Sequence, residues 1–230
     1  GVDYEVWNPA TDRELPAKFD INDLSGKREC KRQMLERFSL PIDLDRPVLA
    51  NITRLTGQKG IDLMMQVAGE VLATGAYIVS LGSGEKRYED FWQSLRDYAP
   101  RQVGIYRGYN EPLAHLIEAG ADMFMMPSKF EPCGLNQMYS LRYGTIPIVR
   151  AVGGLDDTVQ NWDGVLETGN GFKFGPYRAD RFLEKIYEAL FAYGDKETWG
   201  KIQRNGMSVD NSWENAARKY VELYNWTLAN

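Results

Sequence analysis

From Pro47 onward, the sequence alternates short apolar runs with longer segments whose apolar residues recur at helical spacing. Each run has the length of a strand, and each segment that follows has the length of a helix. Strands and helices that alternate in this way predict βαβ units with right-handed crossovers, and therefore an α/β fold built on a parallel sheet. Ligands of such sheets bind beyond the carboxyl ends of the strands, so the loops there are the first candidates for a site.

The strand candidates cover residues 48–52, 76–81, 102–106, 122–126 and 145–149, with a further short strand within 164–174. The helix candidates cover residues 59–73, 85–98, about 112–119, 135–143, 178–193, 196–206 and 212–228. A polar arm and a possible basic helix over 26–38 precede the first strand. We therefore divide the chain, residues 1–230, into a lead-in arm and helix (1–46), an α/β core (47–210) and a C-terminal helix (211–230).

The predicted C-terminal helix carries apolar side chains on one face, namely Trp213, Ala217, Tyr220, Val221, Tyr224 and Leu228. So much aromatic surface at a terminus predicts that the helix docks on another part of the protein. The chain also begins at Gly1 without a methionine, and we interpret it as a piece of a longer protein.

Charge and cysteine content narrow the possible partners. The net charge of −5 argues against nucleic-acid binding, which needs a clustered basic surface. Cys30 and Cys133 lie far apart in the chain and suggest neither a disulfide framework nor a multi-cysteine metal site. The sequence contains no run of 18 apolar residues and no charged-then-apolar leader, which are the marks of a membrane span and a signal peptide. We therefore expect reduced thiols, no membrane partner and a cytoplasmic location.

The loop after the first strand, residues 53–60, offers two cations beside a helix start. Arg54 and Lys59 lie five positions apart, and the amino end of a helix favours negative charge. The loop has neither the G-x-G-x-x-G fingerprint nor a Walker phosphate loop. An anion site and a solvated pair of charges are both compatible with this pattern.

The next two loops carry weaker signals. Gly82-Ser83-Gly84 follows the second strand, and a short glycine turn at such a place is more often a tight connection than a ligand loop. Gly108-Tyr109-Asn110 follows the third strand and places a tyrosine and an amide near the same edge of the sheet.

The segment after the fourth strand places Glu131 and Cys133 just ahead of a predicted helix. The N–H groups of Gly134, Leu135 and Asn136 are expected to be unpaired donors, because the first N–H groups of a helix lack intrahelical acceptors. Such donors suit an anion. We expect Cys133 to be a small packing residue rather than a reactive thiol.

Two further features bear on the chemistry. Gly153-Gly154, after the fifth strand, forms a bend that can bring N–H groups near a ligand. His115 is the only histidine of the sequence and is expected to be a hydrogen-bonding residue on a helix face rather than a catalytic base. With one histidine and no nucleophile elbow, a Ser-His-Asp hydrolase is disfavoured.

Several segments together resemble the glycogen synthases of bacteria and archaea and the starch synthases of plants. They are FEPCGL (130–135), YGTIPIVR (143–150) and GGL (153–155) followed by DTV (157–159). RL (54–55) with QKG (58–60) is similar to the family's first loop, and LGSG (81–84) to its second. GVD (1–3) with VWNP (6–9) resembles the segment where the family's chain enters its second domain. The similarity covers nearly the whole chain.

The resemblance implies a fold and a reaction. The family has two Rossmann-like domains in a GT-B architecture, and this chain looks like the carboxyl-terminal, donor-binding one, with a doubly wound parallel sheet. The implied reaction transfers glucose, with retention of configuration, from ADP-glucose or UDP-glucose to the non-reducing end of an α-1,4-glucan. The acceptor would bind mainly to the amino-terminal domain, on which the C-terminal helix would dock. The isolated chain would then bind the nucleotide without transferring glucose.

The resemblance also implies roles for individual residues. The implied nucleotide and phosphate contacts are Arg54, Lys59, Gly82, Tyr109, Gly134, Leu135 and Asn136. The implied sugar contacts are Glu131, Cys133 and Gly134, and the implied catalytic residues are Glu131, Arg54 and Lys59. In this scheme the two cations neutralise the diphosphate in place of a metal, so neither a metal nor another cofactor is expected. For Glu131, a carboxylate that caps the helix is the alternative to a sugar contact.

The sequence departs from the pattern of related enzymes at two positions. Many related retaining transferases carry a second glutamate eight positions after the first, where this chain has Tyr139. Asn136 stands where the family often has threonine. Another retaining GT-B enzyme, such as a sucrose-type synthase or a mannosyltransferase, and a non-catalytic nucleotide-binding module are the alternative functions.

Overall fold

The computed structural model describes residues 1–229. Its strands are β1 (Val48–Ile52), β2 (Tyr77–Gly82), β3 (Val103–Arg107), β4 (Met123–Met126), β5 (Ile146–Arg150) and β6 (Phe172–Phe174). They form one parallel sheet in the order β3-β2-β1-β4-β5-β6. The direction of growth reverses between β1 and β4, and such a reversal leaves a crevice at the carboxyl ends of the two strands. The predicted α/β Rossmann-like fold is confirmed.

The helices are α1 (Ser25–Arg37), α2 (Ile61–Ala73), α3 (Lys86–Tyr98), α4 (Glu111–Gly120), α5 (Asn136–Arg142), α6 (Gly154–Thr158), α7 (Ala179–Gly194), α8 (Lys196–Met207) and α9 (Trp213–Ala229). A single 3₁₀ turn, Gly57–Lys59, precedes α2. No helix in the described residues has the length and apolar character that crossing a membrane requires.

Helices cover both faces of the sheet. Successive residues of a strand point to opposite faces, and in β1 Leu49 packs with side chains of α2, α3, α7 and α8. Val48 and Ala50 pack with side chains of α1 and α4 on the other face. Because both faces are covered, the strands are almost continuously apolar rather than alternating.

Helix α1 is bound to the core by two buried lysines. Lys27 Nζ donates to two backbone carbonyl oxygens and to Thr145 Oγ1, and Lys31 Nζ lies 2.7 Å from Asp122 Oδ2. The helix also contributes apolar side chains to the core cluster beneath β1. The helix of the lead-in region, 1–46, is therefore an integral layer of the domain.

The structure differs from the sequence prediction near β5 and β6. Within 164–174 only Phe172–Phe174 is a strand, and residues before it form a loop held by isolated bridges such as Asp163 to Thr168. The bend at Gly153-Gly154 opens the short helix α6, which the sequence analysis did not predict because its apolar pattern is too short to show a period.

Candidate functional site

One ion pair joins the loops that follow β1 and β4, at the reversal of the strand order. Lys59 Nζ lies 2.5 Å from Glu131 Oε2, although the two residues are 72 positions apart. Glu131 is only 6% exposed, and its Oε2 also accepts a hydrogen bond from Ser128 Oγ at 3.3 Å. The structure thus brings two predicted site residues together, and Lys59 is not the solvated charge that the sequence left possible.

Close backbone contact holds these two loops in place. Gly60 has φ of +75°, and a Cβ atom on it would lie 2.0 Å from the carbonyl oxygen of Pro127. Lys129 donates its N–H to the carbonyl oxygen of Gln58 at 2.8 Å, and the Gln58 side chain donates to the carbonyl oxygen of Phe130 at 3.1 Å. Only glycine meets both the conformation and the space at position 60, so the QKG sequence fixes the approach of Lys59 to Glu131.

Arg54 differs from Lys59 in its surroundings. Its side chain is exposed, and no ion pair joins it to any described residue. It lies two residues beyond β1, at the same carboxyl edge as Lys59 and Glu131. Arg54 is therefore available to an anion that binds at this edge.

The start of α5 exposes backbone donors, as the sequence predicted. The N–H groups of Gly134, Leu135 and Asn136 donate to no acceptor within residues 1–229. Leu135 is the N-cap residue and provides no side-chain acceptor. The Asn136 side chain donates to the carbonyl oxygen of Ile52 at 2.8 Å, which ties the helix start to the end of β1.

The structure excludes the capping interpretation of Glu131. Helix α5 begins at Asn136, five residues further along, and the Glu131 carboxylate accepts from Lys59 and Ser128 rather than from helix N–H groups. The expectation for Cys133 is also wrong. This thiol is exposed on the loop before α5 and is not a packing residue.

Gly153 and Gly154 pack closely against the loop that carries Glu131. The N–H of Gly154 donates to the carbonyl oxygen of Glu131 at 3.2 Å. Cβ atoms on Gly153 and Gly154 would lie 2.2 Å from that oxygen and 2.0 Å from the carbonyl oxygen of Cys133. The second glycine loop of the signature is therefore a site of close backbone packing.

Gly82 and Tyr109 lie on the other side of β1. A Cβ atom on Gly82 would lie 1.9 Å from the carbonyl oxygen of Thr53, so this glycine lets the second loop pack against the loop of Arg54. Tyr109 follows the edge strand β3 and is 74% exposed. Since neighbouring strands lie about 4.8 Å apart, the end of β3 is about 10 Å from the end of β1, within the span of a nucleotide.

Tyr139 belongs to an aromatic stack that the sequence analysis missed. Trp7 of the amino-terminal arm stacks on Tyr139 with ring centroids 3.9 Å apart and on His115 at 3.7 Å. His115 Nδ1 is 2.7 Å from Asp12 Oδ2, so its predicted role as a hydrogen-bonding residue is confirmed. Burial alone would raise the pKa of Asp12, but its hydrogen bonds with His115 and Tyr143 hold that pKa below its ordinary value.

The acidic segment Asp43-Leu44-Asp45 lies away from the candidate site. It precedes β1, at the opposite end of the strand from Lys59, and Asp45 forms a surface ion pair with Arg28. Within the described residues, no group of three or more His, Cys, Asp or Glu side chains is arranged to hold a metal ion.

Residues 33–206 match the family model described as glycosyl transferases group 1. The match spans well over half of the chain. The chain belongs to this family. As a group 1 glycosyl transferase, it has the residues of the candidate site within the matched region, from Arg54 to Gly154.

The curated relatives narrow the similarity to glycogen synthases. A glycogen synthase of Koribacter versatilis is 48% identical over 224 residues, which cover 97% of this chain and 46% of the relative. A glycogen synthase of Anaeromyxobacter dehalogenans (strain 2CP-1 / ATCC BAA-258) is 48% identical over 230 residues, 100% of this chain and 48% of the relative. The chain spans about half the length of the curated relatives it matches. The resemblance to glycogen synthases is confirmed.

Two solved structures are similar to this chain to different degrees. The catalytic domain of starch synthase IV from Arabidopsis thaliana, bound to ADP and acarbose, has a TM-score of 0.92 and 36% identity, and the match covers 100% of this chain and 48% of that one. A sucrose-phosphate synthase of Thermosynechococcus elongatus has a TM-score of 0.64 at 19% identity, with 94% of this chain and 52% of that one covered. The second similarity shows a shared fold alone.

Proposed function

We propose that this chain is the donor-binding half of a glycogen (starch) synthase. In the whole enzyme, glucose passes from ADP-glucose or UDP-glucose to the non-reducing end of an α-1,4-glucan with retention of configuration. The observation that carries the proposal is the ion pair of the half-buried Lys59 with the buried Glu131, which accompanies the exposed Arg54 and the donors of α5 at one edge of the sheet. This arrangement offers positive groups to a diphosphate and one carboxylate to a sugar.

In this proposal the cations and the N–H groups stabilise the diphosphate leaving group. When the glycosidic bond to the diphosphate breaks, negative charge develops on the phosphate oxygen while the sugar becomes oxocarbenium-like. Fixed donors aimed at developing charge lower such a barrier without reorganisation. Arg54, Lys59 and the N–H groups of Leu135 and Asn136 fit this task, and in this proposal they act in place of a metal.

In this proposal the Glu131 carboxylate binds the sugar. Glu131 would repel a phosphate, but a hexose on the distal phosphate presents hydroxyl donors that a carboxylate accepts. The Lys59 ammonium holds the Glu131 carboxylate in place while it also reaches the diphosphate. In this proposal Cys133 and Gly134, on the same loop, line the hexose, and Tyr109 and Gly82 lie toward the base.

The remaining parts of the site belong to the other half of the protein. Several apolar side chains of α9 are more than half exposed, among them Trp213, Tyr220, Val221 and Tyr224. We propose that this face docks on the amino-terminal domain, which would also hold the glucan. A cytoplasmic location is part of the same proposal.

The alternative of another retaining GT-B transferase has less support. Such an enzyme is expected to carry a carboxylate where Tyr139 stands, and here that side chain is stacked under Trp7. The named relatives at 48% identity are glycogen synthases.

A transfer assay tests the proposal. The two-domain protein that contains this chain is incubated with ADP-glucose or UDP-glucose and a maltooligosaccharide, and the new linkage is followed by NMR. The proposal expects a longer α-1,4-glucan from one of these donors, and no extension by the 230-residue chain alone. Transfer only to a non-glucan acceptor would refute the assignment.

A further inference from the structure

A cavity of about 160 Å³ opens at the amino ends of β1 and β4, on the opposite edge of the sheet from Lys59 and Glu131. Its lining includes four cationic side chains and two carboxylates, namely Lys27, Arg28, Lys31, Lys196, Asp45 and Asp122. The strands between the two edges are four or five residues long, so the cavity lies roughly 15 Å from the candidate site.

Two of the four cations are neutralised. Lys31 Nζ lies 2.7 Å from Asp122 Oδ2 with both side chains buried. Arg28 Nη1 lies 3.0 Å from Asp45 Oδ1, where both side chains are exposed. These pairs use the two carboxylates of the lining.

Lys27 and Lys196 have no carboxylate partner in the described part of the chain. The hydrogen bonds of Lys27 Nζ go to neutral oxygens only, at 2.7–3.1 Å. Lys196 Nζ lies 3.3 Å from the ring centroid of Tyr193. The lining therefore carries two more positive charges than negative ones when both lysines are protonated.

Lys27 is buried, where an unpaired charge is costly, whereas Lys196 is exposed at the mouth of the cavity. Burial lowers the pKa of Lys27 to about 8, and it also lowers the pKa of Lys196. The nearby Glu118 does not restore the balance, because burial raises its pKa to about 8 and keeps it largely protonated at neutral pH. A dianion in the cavity would remove this imbalance.

The size and polarity of the cavity suit such a ligand. Its volume is several times the roughly 30 Å³ that a water molecule occupies in the liquid, so it has room for an ion of five heavy atoms. Trp199 also lines the cavity, and its buried indole N–H has no acceptor among the described residues.

We propose that this cavity binds a small tetrahedral oxyanion, either free phosphate or the phosphoryl group of a small metabolite. The ligand would join α1, the junction of α7 and α8, and the amino ends of β1 and β4. This second site is independent of the donor site and of the proposed transfer reaction.

Calorimetric titration of sulfate into the 230-residue chain tests the proposal. Saturating ADP is present to occupy the donor site, and chloride at matched ionic strength is the blank. We expect one saturable sulfate site. Lys196→Gln should weaken it roughly ten- to a hundredfold, as expected for one charge-assisted hydrogen bond, whereas Lys219→Gln, an exposed lysine on α9, should not. Arg28→Gln provides a second variant at the rim if Lys196→Gln unfolds.

Proton uptake gives a readout that a surface ion would not produce. Sulfate does not titrate near pH 8. Proton uptake measured in buffers of different ionisation enthalpy therefore comes from titratable groups of the protein. The titratable groups around Lys27 are Asp122, Cys30, Glu118 and Lys31. A bound dianion raises the pKa of Lys27, and we expect fractional proton uptake at pH 8.

Competition identifies the source of the oxyanion. Displacement of sulfate by inorganic phosphate alone supports a free ion, and displacement by glycerol 3-phosphate supports an esterified metabolite. Failure of both to displace sulfate would contradict the phosphoryl assignment. Absence of saturable sulfate binding, or equal affinity in the parent and both cavity variants, would overturn the proposal.

Discussion

The ammonium group of Lys59 lies 2.5 Å from the carboxylate of Glu131 and bridges the ends of β1 and β4 where the strand order reverses. Each group neutralises the other in a place that is largely shielded from water. A diphosphate that approaches Lys59 therefore meets a cation already oriented by Glu131. The pair links the phosphate and the sugar parts of the proposed site.

Replacing Arg54 should weaken nucleotide binding and leave the fold intact. Arg54 is exposed and makes no ion pair with a described residue, so Arg54→Ala removes no internal contact. Loss of one charge-assisted hydrogen bond costs roughly 1.5–3 kcal/mol, or about ten- to a hundredfold in ADP affinity. Calorimetry of Arg54→Ala beside Arg101→Ala, an exposed arginine before β3, checks this. Affinities within twofold of the parent in both variants would remove Arg54 from the site.

Replacing Lys59 should affect both binding and stability. Lys59→Ala leaves the buried Glu131 carboxylate without its cation, which we expect to cost about 1–3 kcal/mol of unfolding free energy in addition to weaker ADP binding. The double variant Lys59→Ala/Glu131→Gln should regain most of the stability and none of the affinity. Urea unfolding of the parent, Lys59→Ala, Glu131→Gln and the double variant measures this coupling. Additive effects of the two changes would show that the pair is not energetically coupled.

Replacing Glu131 should separate binding from catalysis. In Glu131→Gln, Lys59 is no longer shared with a carboxylate, so ADP affinity should equal or exceed that of the parent. The contact to the sugar is weakened, and turnover of the two-domain protein should fall by about a hundredfold. Steady-state kinetics and ADP calorimetry on the same variant give both values. Turnover close to that of the parent would mean that Glu131 has no part in the reaction.

Stability should fall between pH 5 and pH 8 because of Glu118. Burial raises the pKa of Glu118 from 4.5 to about 8, so folding takes up a proton in this window. Each proton taken up makes the unfolding free energy fall by about 1.4 kcal/mol per pH unit as the pH rises. Glu118→Gln should flatten the profile, and Glu111→Gln, exposed on the same helix, should not. Parallel pH profiles for the parent and Glu118→Gln would contradict this origin.

The sequence predicted the sheet well because parallel strands covered on both faces are almost continuously apolar. It also placed Arg54 and the N–H donors of α5, since both follow from local position after a strand or at a helix start. The sequence could not show that Lys59 meets Glu131, because that contact depends on how the loops after β1 and β4 pack.

Other features of the structure could not be predicted from the sequence, because they also depend on tertiary packing. The sequence predicted a basic helix over 26–38 but not that Lys27 and Lys31 would be buried. Their spacing places them on one face with Leu35, and that face is buried. The stack of Trp7 on Tyr139 joins the arm to a helix more than 100 positions away, and no local pattern predicts such a contact. The close approach of Gly153 and Gly154 to the loop of Glu131 likewise joins two segments that are distant in the sequence.

A calorimetric titration of ADP into the 230-residue chain, in buffer with excess chelator, tests whether this half of the protein holds the nucleotide without a metal. We expect saturable binding of one ADP per chain without a divalent metal, because in the proposed site Arg54, Lys59 and the donors of α5 supply the positive charge. Absence of saturable binding in chelator, or binding that appears only after a divalent metal is added, would contradict this expectation.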